Sequence, residues 1–119
     1  MRDTGPNLAT RQLVIDRAQR RCERCRDWGS QIHHRKPRQM GGTSDPAINA
    51  FPNLVLVCVT CHDEIERNRQ MAYESGWLVH RWDDPAQVPA LTLEGFEIHF
   101  NPDGTVARGF IPRGLTPPF

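Results

Sequence analysis

The stretch NLVLVCVTCHDEI, residues 53–65, decides the fold of this chain. Residues 54–57 form a continuous apolar run of strand length with two β-branched valines, which indicates a buried β-strand. Cys58 and Cys61 follow at once as a C-x-x-C pair, and His62 comes directly after the second cysteine. A strand, a thiol pair and a histidine therefore stand in immediate succession.

A second C-x-x-C pair, Cys22 and Cys25, precedes the first, with 32 residues between the two pairs. A C-x-x-C turn brings both sulfurs to one side, and two such turns complete a tetrahedral Zn²⁺ site. A redox dithiol is the alternative, but two similar pairs without a thioredoxin-like βαβ pattern argue against it. The sequence predicts a structural zinc ion held by four thiolates: Cys22, Cys25, Cys58 and Cys61.

The size and composition of the chain are typical of a small domain that needs a structural metal ion for stability. A length of 119 residues is enough for one domain, and the hydrophobic content of 38% indicates a thin core. No apolar run is long enough for a membrane helix, and the first ten residues lack the apolar stretch of a signal peptide. We therefore expect a cytoplasmic protein without a membrane partner, where paired cysteines bind metal more often than they form disulfides.

The distribution of turn residues and apolar residues predicts a mixed α+β chain. A helix is expected within residues 7–22 with Thr10 as its N-cap, and a second one within 61–75, ended by Gly76 as the C′ residue. The remaining elements are an extended piece at 31–34, a strand at 77–82 and a hairpin around the NPDG turn at 101–104. The expected layout is a single domain, 1–119, with a core at about 20–68, peripheral C-terminal strands at about 77–112 and a loose tail at 113–119.

Two adjacent histidines, His33 and His34, lie near the start of the basic stretch IHHRKPRQMGG, residues 32–42. If one zinc ion joins the two cysteine pairs, this histidine pair and His62 are drawn into one neighbourhood. Successive side chains of an extended segment point to opposite faces, so the two adjacent imidazoles cannot do the same job. One of them can bind a second metal ion while the other acts as a base.

These residues resemble the HNH endonucleases of the ββα-metal (His-Me finger) superfamily. Their pattern is an acidic residue or histidine followed by histidine, a central asparagine before a strand, and a histidine opening a helix; His33-His34, Asn53 and His62 fill these places in order. The resemblance covers roughly residues 20–68 and is closest to small phage or prophage HNH nucleases with a four-cysteine zinc site. It implies an α+β fold, a small ββα-metal finger core stapled by zinc, with an N-terminal helix and a C-terminal β-hairpin.

The resemblance implies a role for each of these positions. His34 would be the general base that takes a proton from the attacking water, and Asn53 would fix the loop and orient His34 through its side-chain amide. His33 and His62 would hold one catalytic divalent ion, which could be Mn²⁺, Ni²⁺, Mg²⁺ or Zn²⁺. Glu66 lies one helical turn after His62, so it could reach the same ion or simply face solvent.

The basic residues of the chain are concentrated in its first third. Residues 1–40 carry a formal charge of +6 and residues 41–119 a charge of −5, which suggests a polyanionic partner for one face. The resemblance places three of the basic residues where phosphate contacts are expected: Arg35, Lys36 and Arg38.

The sequence thus predicts a metal-dependent HNH endonuclease that hydrolyses DNA phosphodiester bonds. The resemblance adds a possible role in phage DNA packaging with terminase and portal proteins, in the cytoplasm of a bacterial host. The alternative is a non-catalytic, zinc-stabilised DNA- or protein-binding module. The three tryptophans are expected to pack in the thin core rather than to stack on bases, and His80 and His99 belong to no motif; the tryptophans are Trp28, Trp77 and Trp82.

Overall fold

The computed structural model describes residues 6–37 and 46–110, and over these ranges the chain is a mixed α+β protein. The helices are α1 (Leu8–Ala18), α2 (Val59–Arg67) and α3 (Arg69–Glu74). The strands are β1 (Gln31–His34), β2 (Leu54–Val57), β3 (Ala90–Leu91), β4 (Phe96–Phe100) and β5 (Val106–Phe110). Three short 3-10 turns lie at Pro46–Asn49, Phe51–Asn53 and Pro85–Gln87. The predicted tail at 113–119 lies outside the described residues.

The centre of the molecule is a two-stranded antiparallel hairpin followed directly by a helix. Strand β1 pairs with β2 so that His33 lies opposite Val55 and His34 opposite Leu54. All four residues of β2 are buried, as their unbroken apolar run predicts. Cys58 ends the strand and caps α2, since its Sγ accepts the N–H of Cys61 at 3.3 Å. This strand–strand–helix unit confirms the predicted α+β core.

Helix α1 packs on the outer side of this hairpin through Val14 and Ala18, which meet Leu54 and Leu56 of β2. Its N-cap is Asn7, whose side-chain oxygen accepts the N–H of Thr10 at 2.8 Å. The prediction of Thr10 as N-cap was therefore wrong by three residues. Asparagine is an equally good N-cap residue, and Asn7 takes this role because the helix begins one turn earlier than predicted.

A buried ion pair fastens α1 to the first cysteine pair. Arg17 Nη2 lies 2.8 Å from Glu23 Oε1, and less than a twentieth of either side chain is exposed. The same carboxylate oxygen accepts the backbone N–H of Leu56 at 2.9 Å, so one side chain joins helix, turn and strand. Removing either partner would leave a buried charge uncompensated, which typically costs about 3–5 kcal/mol.

The helix predicted at 61–75 is interrupted at Asn68, so that α2 and α3 are two separate helices. Its end is as predicted, because Gly76 follows the C-cap residue with a φ of +84°. A Cβ at Gly76 would lie 2.0 Å from the carbonyl oxygen of Pro89. Both the backbone angle and the close approach therefore require glycine here.

The strand predicted at 77–82 was wrong, since this segment is irregular. The N–H groups of Trp77 and Leu78 both bond to the carbonyl of Ala72 at the end of α3, and the N–H of Asp83 closes a turn on His80. These bonds use the backbone groups that a strand would need for its ladder. Residues 77–79 are nevertheless buried, because an apolar run is expected in a buried loop as well as in a buried strand.

The C-terminal part forms a second antiparallel sheet in the order β3-β4-β5. The predicted hairpin is confirmed: β4 and β5 pair with Phe96 opposite Phe110 and Phe100 opposite Val106, around a turn in which Gly104 has a φ of +94°. Ile98 and Phe100 point into the same core as β2 and α2.

The tryptophans divide between core and surface. Trp77 is completely buried, as predicted, but Trp28 is 68% and Trp82 is 73% exposed. The core prediction was thus wrong for two of the three, because the small core is already filled by aliphatic side chains and Phe100. No helix within the described residues is long and apolar enough to span a membrane.

Candidate active site

The four cysteines come together between the turn after α1 and the start of α2. Their sulfur atoms all lie within 4.8 Å of one another, and the Sγ atoms of Cys25 and Cys58 are 3.6 Å apart. None of the four is in a disulfide. A tetrahedral ion with Zn–S bonds of about 2.3 Å holds its sulfurs about 3.8 Å apart, so the cluster has the size of a structural zinc site.

Hydrogen bonds and burial distribute the negative charge of this cluster unevenly. Contact with Cys61 lowers the pKa of the Cys22 thiol to about 4, and the N–H of Cys25 donates to Cys22 Sγ at 3.4 Å. The same contact raises the pKa of Cys61, and burial raises the pKa of Cys25 to about 11. The buried guanidinium of Arg24 lies 3.1 Å from Cys61 Sγ and 2.7 Å from a carboxylate oxygen of Glu64. One arginine therefore offsets part of the negative charge that four thiolates bring to a divalent ion.

A second cluster lies where β1 faces α2. The ligand atoms of His33, His62 and Glu66 all lie within 4.8 Å of one another. The two imidazole rings meet edge to face with their centroids 5.3 Å apart. His62 and Glu66 are four residues apart on α2, so they share a helix face, and His62 Nε2 lies 4.0 Å from Glu66 Oε1. The structure thus brings together three of the predicted site residues.

The surroundings of His33 leave one of its nitrogens suited to a cation. The residue is 5% exposed, and burial lowers the pKa of its imidazole to about 4, so it is neutral at physiological pH. Its Nε2 lies 3.0 Å from the carbonyl oxygen of Trp77, which can only accept a hydrogen bond. The proton is therefore on Nε2, and Nδ1 carries the lone pair that a metal ion needs.

The exposure of the three residues increases from β1 outward. His33 is buried, whereas the side chains of His62 and Glu66 are 38% and 47% exposed. The other carboxylate oxygen of Glu66 lies 3.0 Å from Arg69 Nη1. An ion held here by three protein ligands would keep open positions toward solvent, which is the arrangement of a catalytic rather than a structural site.

His34 is directed differently from His33, as the alternation along a strand requires. It is half-buried, and its Nε2 lies 2.9 Å from the side-chain oxygen of Asn49 in the turn Pro46–Asn49. The sequence prediction missed Asn49. No local sequence signal identifies Asn49, because it lies in a loop rich in polar residues. Its contact with His34, which is 15 residues away in the chain, forms only in the folded protein.

Asn53 acts on the backbone beyond His34 and not on the imidazole itself. It is fully buried, its Oδ1 accepts the N–H of Lys36 at 2.5 Å, and its Nδ2 donates to the carbonyls of Lys36 and Ile48. The backbone oxygen of Asn53 also accepts the N–H of Arg35 at 2.8 Å. The Asn53 amide therefore joins the backbone at Lys36 to that at Ile48, whereas the amide that meets His34 belongs to Asn49.

The predicted phosphate contact by Arg35 was wrong. Arg35 has no exposed surface, and its guanidinium donates to the carbonyls of Gly76, Pro52, Pro85 and Val88 while lying 4.7 Å above the Phe100 ring. Burial lowers its pKa to about 9, so it stays charged at physiological pH. This arginine joins three segments of the chain, since Pro85 and Val88 belong to one turn, and it has no surface left for a phosphate.

Lys36 does not form an open phosphate surface either. It is only 9% exposed, and Asn53 binds both its backbone N–H and its carbonyl. Arg38 lies outside the described residues, so its predicted contact stays a prediction.

The fold and both clusters agree with one family model. Residues 22–68 match the model described as HNH endonuclease, and this segment contains both cysteine pairs, the histidine pair, Asn53 and α2. No curated protein and no solved structure matches the chain. The match suggests a nuclease or nucleic-acid-binding function with a metal site, and DNA as substrate or partner. Over residues 22–68 this chain carries a domain that belongs to the HNH endonuclease family.

Proposed function

We propose that this protein is a metal-dependent endonuclease that hydrolyses DNA phosphodiester bonds. The observation that carries the proposal is the convergence of His33, His62 and Glu66, two imidazoles and a carboxylate, within 4.8 Å on a half-open face. Nitrogen and oxygen ligands in this combination suit Mn²⁺, Ni²⁺ or Zn²⁺, and Mg²⁺ is also able to bind.

The three ligand residues divide the work of holding one divalent ion. His33 offers Nδ1 from a rigid, buried position because Trp77 fixes its other nitrogen, while His62 and Glu66 come from one face of α2. A bound ion would supply charge stabilisation at a phosphate oxygen and at the leaving 3′ oxygen.

His34 is proposed as the general base that takes the proton from the attacking water. Its Nε2 faces the amide oxygen of Asn49, so the proton on this imidazole is on Nε2 and the basic lone pair is on Nδ1. An imidazole suits the task because its ordinary pKa lies near working pH. Asn53 is proposed to support His34 indirectly, by fixing the backbone of the two residues that follow it.

The four-cysteine cluster is proposed to hold a structural zinc ion: its four sulfurs lie close together without disulfides, and backbone N–H groups point at two of them. Four protein ligands leave no open position, so this ion would not take part in the chemistry. Its effect would be to hold β1 against α2, and hence His33 against His62.

A cleavage assay tests the proposed reaction. Supercoiled plasmid DNA is incubated with each of the four ions and either the native chain, His34→Ala or His99→Ala. We expect His34→Ala to cut roughly 10²- to 10⁴-fold more slowly, because the general base is gone. His99→Ala removes an exposed histidine of β4 and should cut at the native rate. Undiminished cutting by a folded His34→Ala variant would contradict the assignment of the base.

The alternative function, a non-catalytic zinc-stabilised module, predicts binding without cleavage in the presence of every ion. The His33–His62–Glu66 cluster argues against it, because a purely structural module has no use for a second, half-open ligand set. A role in phage DNA packaging rests on the sequence resemblance alone. Cleavage measured with and without terminase and portal proteins would test it.

A further inference from the structure

Three aromatic side chains outside the two clusters form a continuous stack. The rings of Tyr73 and His80 are parallel within 4° with their centroids 4.1 Å apart, and His80 and Trp82 are parallel within 4° at 4.6 Å. The three parallel rings therefore form a single column with His80 in the middle.

The stack runs from the core to the surface. Tyr73, on α3, packs against the core, whereas Trp82 at the other end is 73% exposed. The turn in which the N–H of Asp83 bonds to the carbonyl of His80 folds Trp82 back over the imidazole. One face of the indole is therefore covered by His80, and the exposure of the residue shows that its other face is open to solvent.

The stack is attached to a segment that contacts β1, the strand that carries His33 and His34. The segment from 77 to 79 runs beside the end of β1: the carbonyl of Trp77 meets His33 Nε2 at 3.0 Å, and the N–H of Val79 donates to the carbonyl of Arg35 at 2.8 Å. Trp82 follows three residues later. A group resting on its open face would thus be held by the same backbone that positions His33.

Both cations and carboxylates lie near the stack. Arg81, at the tip of the turn next to Trp82, is exposed, and Asp83 and Asp84 follow Trp82 in the chain. Arg69 lies on the Tyr73 face of α3, four residues earlier, with 45% of its side chain exposed, although it is also paired with Glu66. An open aromatic face beside a cation is how proteins hold unpaired bases, since every base has a π face and the flanking phosphates are anionic.

We propose that the stack of Tyr73, His80 and Trp82 is a platform on which an unpaired nucleobase of the DNA substrate rests, with Trp82 as the contact surface. The proposal rests on the proposed function for the choice of DNA, and it adds a substrate preference: nicked, frayed or single-stranded DNA should bind better than an intact duplex. The stacked rings preorganise the indole, so little side-chain entropy is lost when a base arrives.

The test separates base stacking from phosphate binding. Fluorescence anisotropy measures binding of a labelled oligodeoxythymidine and of a strand of equal length with abasic sites, which keeps the phosphates but lacks the bases. No divalent ion is added, so cleavage cannot interfere. We expect the native chain to prefer the strand with bases, and Trp82→Ala to weaken binding of that strand by roughly fivefold or more while leaving the abasic strand unaffected.

Two further variants make the outcome decisive. Trp28→Ala removes the other exposed tryptophan and should change neither affinity, and Trp82→Phe keeps an aromatic face and should retain most of the preference for bases. Equal binding of both strands by the native chain, or an unchanged preference in a folded Trp82→Ala variant, would overturn the proposal and leave the stack as packing only. If the protein binds bases but cleaves DNA with none of the ions, the platform is upheld and the proposed nuclease activity is rejected. If it cleaves DNA without a preference for bases, the nuclease activity is upheld and the platform is rejected.

Discussion

The two ligand clusters of this small protein are built to opposite designs. The four-cysteine cluster is closed: four sulfurs, two of them on buried residues, meet one another and are approached by backbone N–H groups and by Arg24. The His33–His62–Glu66 cluster is open, with one buried ligand and two that are more than a third exposed. A closed set of four ligands favours stability, and an open set of three leaves room for water and a phosphate.

We infer that the closed cluster determines where the ligands of the open cluster lie. Cys58 and Cys61 flank the start of α2, and His62 follows them, so any ion that clamps the thiolates also fixes where His62 points. We expect the reverse effect to be smaller, because the bond from His62 to Cys58 uses the backbone N–H and the imidazole itself is partly exposed. The two sites should therefore respond differently to substitution.

The largest effect is expected from breaking the closed cluster. In Cys58→Ser the serine can still cap α2, but a thiolate is lost, so zinc affinity and with it the fold should collapse; metal binding in such domains is worth roughly 10 kcal/mol. Circular dichroism and zinc content measure this. Val59→Ser changes the exposed neighbouring residue and is the matched control. A Cys58→Ser chain that folds natively without zinc would contradict the role of the cluster.

The open cluster should be separable from the fold. In His62→Ala an imidazole that is partly exposed is removed, so the thermal midpoint should change little. Cleavage should fall by roughly 10³-fold, because a metal ion contributes several kcal/mol to the transition state. Plasmid cleavage and thermal unfolding are measured on the same preparation. Loss of the fold in His62→Ala would show that the two clusters are not independent.

The buried ligand of the open cluster should make stability depend on pH. Burial lowers the pKa of His33 to about 4 from 6.5, so between these pH values the unfolded chain binds a proton that the folded chain does not. Stability should therefore fall as the pH drops from 6.5 to 4, by at most about 3 kcal/mol, and this contribution should level off below pH 4.

Denaturant unfolding without added divalent ions, compared between the native chain and His33→Gln, isolates this slope. Acid release of zinc from the thiolates affects both chains and cancels in the difference. Identical pH profiles of the two chains would mean that the imidazole of His33 is not desolvated in the folded protein.

The smallest effect is expected at the most exposed ligand. Glu66→Gln keeps the shape of the side chain and removes its charge, so affinity for the catalytic ion should fall by about tenfold with the fold unchanged. The metal concentration that gives half-maximal cleavage measures this. Glu74→Gln, on α3, is the matched control. An unchanged metal dependence would assign Glu66 to its ion pair with Arg69 alone.

Local patterns predicted the elements that depend on local chemistry. The apolar run at β2, the glycine that ends α3 and the NPDG hairpin are all where the sequence places them. The segment 77–82 was predicted as a strand and is irregular, with only residues 77–79 buried, because hydrophobicity reports burial and not the partner of each backbone group. Whether a strand forms depends on a neighbouring edge, and here the end of α3 takes those hydrogen bonds.

The candidate site also contains residues that local sequence patterns predicted and residues that they missed. Spacing alone grouped the four cysteines, and strand alternation alone separated the tasks of His33 and His34. Arg35 was misassigned because a basic residue beside a histidine pair looks like a phosphate ligand, whereas its four carbonyl partners come from residues 17 to 53 positions further along the chain. Asn49 and the Tyr73–His80–Trp82 stack were missed for the same reason.

By itself, the sequence determined the ligand types, their spacing and the strand that aims two neighbouring imidazoles apart, since these follow from side-chain chemistry and the period of an extended chain. Only the tertiary structure decided which histidine nitrogen is held by a carbonyl, which arginine is buried as a brace and which tryptophan faces solvent. Such outcomes depend on how distant segments share a small core, and no short stretch of residues contains that information.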